Sequence, residues 1–176
     1  MCSSDLTLAV ADALAAEIRG LGAAGATLID VEDPAIVARP ELIGLARMAY
    51  ERLATANVPL AIQPYFFPAD AVLEQLATFP VAQVGLDLRS RDTRALGALA
   101  ALRHRTVVLG VVDARNTRLE DPSEIARTLE AAAKALGADR VWAAPTTGLE
   151  YLPHDVATKK LEVLVKGARA AMGVAA

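Results

Sequence analysis

The chain has 176 residues, carries 18 Lys+Arg against 21 Asp+Glu for a formal charge of -3, and is 54% hydrophobic with 4% aromatic residues. Its length suits one domain, its charge excludes nucleic-acid binding by bulk electrostatics, and its apolar content excludes disorder. Charged residues interrupt every apolar run before the roughly 18 to 20 residues of a membrane span, there is no secretory hydrophobic segment, and the single cysteine, Cys2, excludes an internal disulfide and a multi-cysteine zinc site. A cytoplasmic location is the expectation that follows.

Met1-Cys2-Ser3-Ser4-Asp5-Leu6 reads as the translated end of a sequencing adapter, so residues 1–6 are expected to be non-native and residues 7–176 part of a larger α/β domain. From Thr7 to Leu21 the apolar residues Val10, Leu14, Ile18 and Leu21 recur at helical spacing, with Gly22 and Gly25 as stop signals. The run 27–31 is β-branched and apolar and ends at Glu32-Asp33-Pro34, where proline cannot continue a central strand. A helix is predicted over 41–55, a strand over 60–63, a helix over 69–77, a strand over 83–88, a helix over 92–103 and a strand over 106–112. The next helix has the clearest start: Asp121 as cap, Pro122 at the first position, Glu124 behind it, then Ile125, Leu129, Ala132 and Leu136 on one face and Gly137 as stop. A fifth strand over 140–144 leads through Pro145-Thr146-Thr147-Gly148 to a last helix with Leu161, Leu164, Val165, Ala168 and Met172 as its stripe.

Strands alternating with helices require parallel, right-handed βα units. An open parallel α/β sheet fits the length, but no glycine-rich phosphate turn of the G-x-G-x-x-G or G-x-x-x-x-G-K kind follows any strand. A (β/α)8 TIM barrel takes about 250 residues, of which this chain would supply the last five βα units. The incomplete barrel is the preferred reading. It leaves two unpaired sheet edges and half an interior uncovered, so the isolated chain is expected to be marginal or to self-associate.

Chemistry in a barrel gathers at the carboxyl ends of the strands. Those ends carry Glu32 and Asp33; Gln63, Tyr65 and Phe66; Asp87 and Arg89; Asp113, Arg115 and Asn116; and Thr146 and Thr147. Such carboxylates orient an amino group, tune one another's pKa or hold a cation; equally, they cap helices and satisfy loop amides. His104, between Arg103 and Arg105, and His154, after Pro153, read as helix-end residues, and Trp142 as core packing. Neither histidine falls at a strand end, so no Ser-His-Asp or Cys-His arrangement is assembled.

Five segments, "LIDVEDPAI", "PYFF", "VGLDLRSRD", "LGVVDARNTRLEDPSEI" and "VWAAPTTGL" followed by "KKLEVLVKGAR", resemble in order and spacing the barrels of cobalamin-independent methionine synthases, the carboxyl-terminal part of one barrel, from about Leu6 to Gly173. The resemblance implies methyl transfer from a methylated folate to the thiol of homocysteine, with zinc holding the thiolate. The positions that match the family's metal ligands are Gln63, Tyr65, Asp87 and Thr147, of which only Asp87 is an ordinary zinc ligand. "PYF" and "GLDLR" look more like the metal-free amino-terminal barrel of the two-barrel enzymes. Glu32 and Asp33 match an acidic pair that approaches an amino acid's ammonium group, and with Asp113 and Asn116 they form the candidate substrate-binding set. The implied function is methionine-synthase-like methyl transfer with a degenerate zinc site, a methylated folate or amino-acid thiol as small-molecule partner and no resident cofactor; the alternatives are a non-catalytic folate- or amino-acid-binding barrel and a metal-independent uroporphyrinogen-decarboxylase-like enzyme.

Overall fold

The structure is a computed structural model that describes residues 3–89 and 94–174. Helix α1 (Ser3–Ala23) leads to β1 (Ile29–Glu32), the single turn α2 (Ala35–Ala38) and α3 (Ile43–Ala54). β2 (Leu60–Gln63), the short α4 (Leu73–Leu76), β3 (Gln83–Asp87), a 3₁₀ segment Ala95–Leu102 and β4 (Thr106–Val112) follow, and α5 (Pro122–Leu136), β5 (Val141–Pro145) and α6 (His154–Ala171) complete the chain. β2 and β4 coincide with their predicted spans. The helix predicted from 69 shrinks to one turn; Asp70 instead accepts a hydrogen bond from the Arg94 amide at 2.7 Å. The predicted start at Asp92 lies outside the described residues.

The five strands are all parallel and lie in the order β1-β2-β3-β4-β5. A doubly wound sheet reverses direction from its first strand and covers both faces with helices. Sequential order with right-handed crossovers places every helix on one face, as in a TIM barrel. Residue type distinguishes the two faces. Ile62, Val84, Leu86, Val107, Leu109 and Val111 pack into the core under the helices. On the opposite, inner face the register aligns Asp30, Ala61, Gln83 and Thr106 across four strands, and Asp87, Gly110 and Ala144 across three. The chain is therefore part of a barrel wall with an apolar outer layer and an inner face that mixes carboxylates and carboxamides with small and apolar residues such as Ala61, Val108 and Ala144.

The middle of the wall follows its sequence pattern closely. Asp121 accepts the Ser123 amide at 2.8 Å, Pro122 opens α5, and Ile125, Leu129, Ala132 and Leu136 are buried, with Gly137 ending the helix at φ +98°. The flanks do not. In α1 the buried residues are Ala11, Ala15 and Ile18, whereas Val10, Leu14 and Leu21 are exposed. In α6 the buried face is Lys160, Leu164 and Gly167, while Leu161, Val165 and Met172 point outward. Small residues win these contacts because they allow close approach: a Cβ on Gly167 would lie 2.5 Å from Ile125 Cγ2 and 3.0 Å from the Pro122 carbonyl. Trp142, expected in the core, is 57% exposed, because its position on the strand turns it to the inner face of the edge strand β5.

Candidate functional site

The strand ends converge into a polar mouth. On β1, residues two apart share a face, so Asp30 and Glu32 both point inward and Asp33 does not. The Gln63 carboxamide donates to Asp30 and lies over the bare Cα of Gly85, where a Cβ would fall 1.5 Å from Gln63 Oε1. Burial pushes the Asp30 carboxyl up, and the neighbouring Glu32 charge adds to the rise. Tyr65 donates its hydroxyl to Glu32 at 3.1 Å and is hydrogen-bonded to Thr147 on the far side of the sheet. Three of the four metal-matched positions, Gln63, Tyr65 and Thr147, are thereby tied to this acidic side of the mouth.

Asp87, the fourth, closes β3 with its side chain fully buried. It accepts the Arg89 amide at 2.8 Å, the Phe66 amide at 3.2 Å and Arg115 Nη1 at 3.0 Å. Arg115 also donates its amide and Nε to Asp113 at 2.9 Å, and Asn116 Nδ2 donates to the other Asp113 oxygen at 2.7 Å. The guanidinium thus spans the ends of β3 and β4. Burial works against the Asp113 charge, but the Arg115 hydrogen bonds and the Arg115 and Lys160 charges outweigh it and hold this carboxyl below its ordinary value. Arg115 is raised in turn: burial opposes its charge, and Asp113 with Asp87 more than compensates. Beside this network lies a cavity of about 480 Å³ lined by Leu88, Arg89, Asp113, Arg118, Glu120 and Glu124.

The structure brings Glu32, Asp113 and Asn116 to the mouth but sets Asp33 apart. The Asp33 carboxyl takes the Ala35 and Ile36 amides at the start of α2, and burial raises its pKa against those bonds. Behind it the Tyr50 hydroxyl is buried without a hydrogen-bond partner among the described residues; burial and the Asp33 and Asp30 charges push it upward. Asp30 was not among the sequence candidates, although its place two residues before Glu32 puts it on the same strand face. Lys160, buried on α6, carried no such signal beyond its helical spacing to Leu164. His104 and His154 are both exposed, His154 as the first residue of α6.

The zinc implied by the resemblance does not fit these residues. No group of three or more His, Cys, Asp or Glu side chains is placed to hold a metal ion among the described residues. Gln63, Tyr65 and Thr147 offer neither thiolate nor imidazole, and Asp87 already receives three donors, one of them cationic. Among the described residues no helix is long and apolar enough to cross a membrane.

Comparison with known proteins extends these observations. The family described as cobalamin-independent synthase, N-terminal domain, matches residues 4–137. A protein named methionine synthase from Thermococcus kodakarensis is 28% identical over 164 residues, which cover 93% of this chain and 49% of that protein. A 5-methyltetrahydropteroyltriglutamate–homocysteine methyltransferase from Acidiphilium cryptum is 36% identical over 143 residues, 78% of this chain and 18% of that protein. The chain thus spans about half the length of the first of these relatives and a smaller share of the second. Among solved structures, a B12-independent methionine synthase from Shewanella sp. W3-18-1 in complex with selenomethionine superposes with TM-score 0.88 at 22% identity, over 97% of this chain and 55% of that one. A Xanthomonas albilineans dihydropteroate synthase aligns with TM-score 0.60 at 24% identity, over 93% of this chain and 62% of that one, a likeness of fold.

Proposed function

The chain belongs to the cobalamin-independent synthase family, N-terminal domain, and from that premise we propose that it serves methionine-synthase-like methyl transfer as a metal-free barrel whose mouth binds a small-molecule substrate. The methyl donor in this reading is a methylated folate and the acceptor an amino-acid thiol such as homocysteine. One observation carries the division of labour: Asp87, the only ordinary zinc ligand among the four matched positions, spends its carboxylate on Arg115 and two backbone amides. A carboxylate so occupied positions the loops of the mouth and leaves thiol activation to groups outside it. Asp30 and Glu32 provide the acidic surface that suits an ammonium group, while Asp113, paired with Arg115 and oriented by Asn116, shapes the adjoining edge of the mouth.

The test combines metal analysis with calorimetry on the purified chain. The expected result is no stoichiometric zinc, together with binding of 5-methyltetrahydrofolate or homocysteine that weakens when Glu32 is replaced by Gln. Loss of one ionic hydrogen bond corresponds to about 1.5–3 kcal/mol, or roughly ten- to hundredfold in affinity. One zinc per chain that disappears in Asp87→Asn would overturn the metal-free reading, and absence of binding by both ligands would overturn the substrate-binding one.

A further inference from the structure

We propose that Lys160 is a remote positioning residue that sets the aromatic turn after β2 through a continuous run of charged hydrogen bonds across the sheet. Lys160 sits on α6 with a side chain 0% exposed, and its partner Glu120 is 8% exposed. Its ammonium group donates to the Arg118 carbonyl at 2.6 Å and to both Glu120 oxygens at 3.1 Å, which satisfies its three donors. Burying two charges carries a desolvation cost that their attraction rarely exceeds, so such a pair is a weak device for stability alone. All its acceptors belong to the loop between β4 and α5. The pair fixes where that loop sits.

From Glu120 the run continues without a gap. Glu120 Oε1 accepts the Asp113 amide at 2.9 Å, Asp113 accepts Arg115 Nε at 2.9 Å, Arg115 Nη1 reaches Asp87 at 3.0 Å, and the same Asp87 oxygen accepts the Phe66 amide at 3.2 Å. Phe66 has φ +76°, a conformation that a bulky side chain keeps only where its surroundings impose it. The Asp87 bond imposes it from below, and the Tyr65 ring meets Phe66 edge-on at 4.5 Å. Tyr65 then contacts Glu32. The run therefore begins in a helix on one flank and ends on the aromatic and acidic groups of the mouth, three strands away in the order β2-β3-β4-β5.

Site-resolved amide hydrogen exchange of the whole chain tests this without any ligand, so its outcome is independent of the proposed function. In Lys160→Met the Asp113 and Phe66 amides are expected to exchange about tenfold faster while Val84 and Leu109 keep their rates, the pattern of a local opening. A faster Asp113 amide with an unchanged Phe66 amide reduces Lys160 to a local brace and overturns the proposal, as does a uniform rise through β3 and β4. Asp87→Asn, which weakens the hold on Arg115 from the other end of the run, is expected to accelerate the Asp113 amide as well, and this variant decides the matter if Lys160→Met does not fold; an Asp113 amide at the wild-type rate in Asp87→Asn overturns the proposal equally.

Discussion

The middle of the wall and its two flanks obey different rules. In β3, β4 and α5 the most apolar residues are buried, and the apolar runs of the strands and the helical period of α5 locate them. In α1 and α6 several of the largest apolar side chains face outward and alanine, glycine and a paired lysine face inward. A central element has neighbours on both sides, so its apolar stripe meets a partner. A flanking element has one neighbour, and its stripe divides between the covered side and the open side. The exposed Leu14 and Val165 and the inward Trp142 mark the surfaces on which a complete barrel would continue.

Truncating equivalent side chains in the two regions separates them most widely. Leu109→Ala, in the centre, is expected to cost about 2–5 kcal/mol in urea denaturation, the range of buried leucine truncations. Leu14→Ala on α1 should change stability by no more than about 0.5 kcal/mol. Equal losses would mean that the α1 stripe is covered in solution and that the flank is not a flank.

A smaller contrast separates rigid from yielding contacts on the inner face. A Cβ at Gly110 would meet the Thr146 backbone at 2.9 Å and the Leu86 carbonyl at 3.1 Å, neither of which can move alone. Gly110→Ala should cost about 1–3 kcal/mol, while Gly85→Ala, which displaces only the end of the Gln63 side chain, should cost less than about 1 kcal/mol. Denaturation midpoints of the two variants in the opposite order would show that Gln63 is held as firmly as backbone.

The smallest effect concerns the β1 flank and depends on pH. Asp30 has its folded pKa raised above 3.8 by burial and by Glu32, so the fold disfavours its charged form. That penalty is present near neutral pH and disappears as pH falls below the unfolded value of about 3.9, where the group is protonated in both states. Asp30→Asn should therefore raise the melting temperature at pH 7 by about 1 °C, a small gain because the half-exposed carboxylate is screened, and the gain should vanish below about pH 4. A melting temperature lowered at pH 7 would show instead that the Gln63 hydrogen bond outweighs the repulsion.

Much of this protein was legible in its residues. Alternating strand and helix patterns located all five strands, the capped start of α5 was readable from Asp121-Pro122, and the strand-end polar residues pointed to one mouth. Those features are local: a strand's period, a cap and a β-branched run depend on neighbours in sequence. What the tertiary structure alone decided was the partnership of each exposed or charged group. The order of the strands selected a barrel wall over an open sheet, which no single βα unit reveals. The two-residue period put Asp30 beside Glu32 and turned Asp33 to α2, but only the assembled sheet brought Tyr65 and Thr147 to the same mouth. Arg115 and Asp87 stand 28 positions apart, and Lys160 and Glu120 stand 40 apart, so their pairing is invisible until the strands are laid side by side. A charge is inexpensive to place in a sequence and costly to bury, and the fold determines which carboxylates stay free for a ligand and which are taken by the protein's own cations.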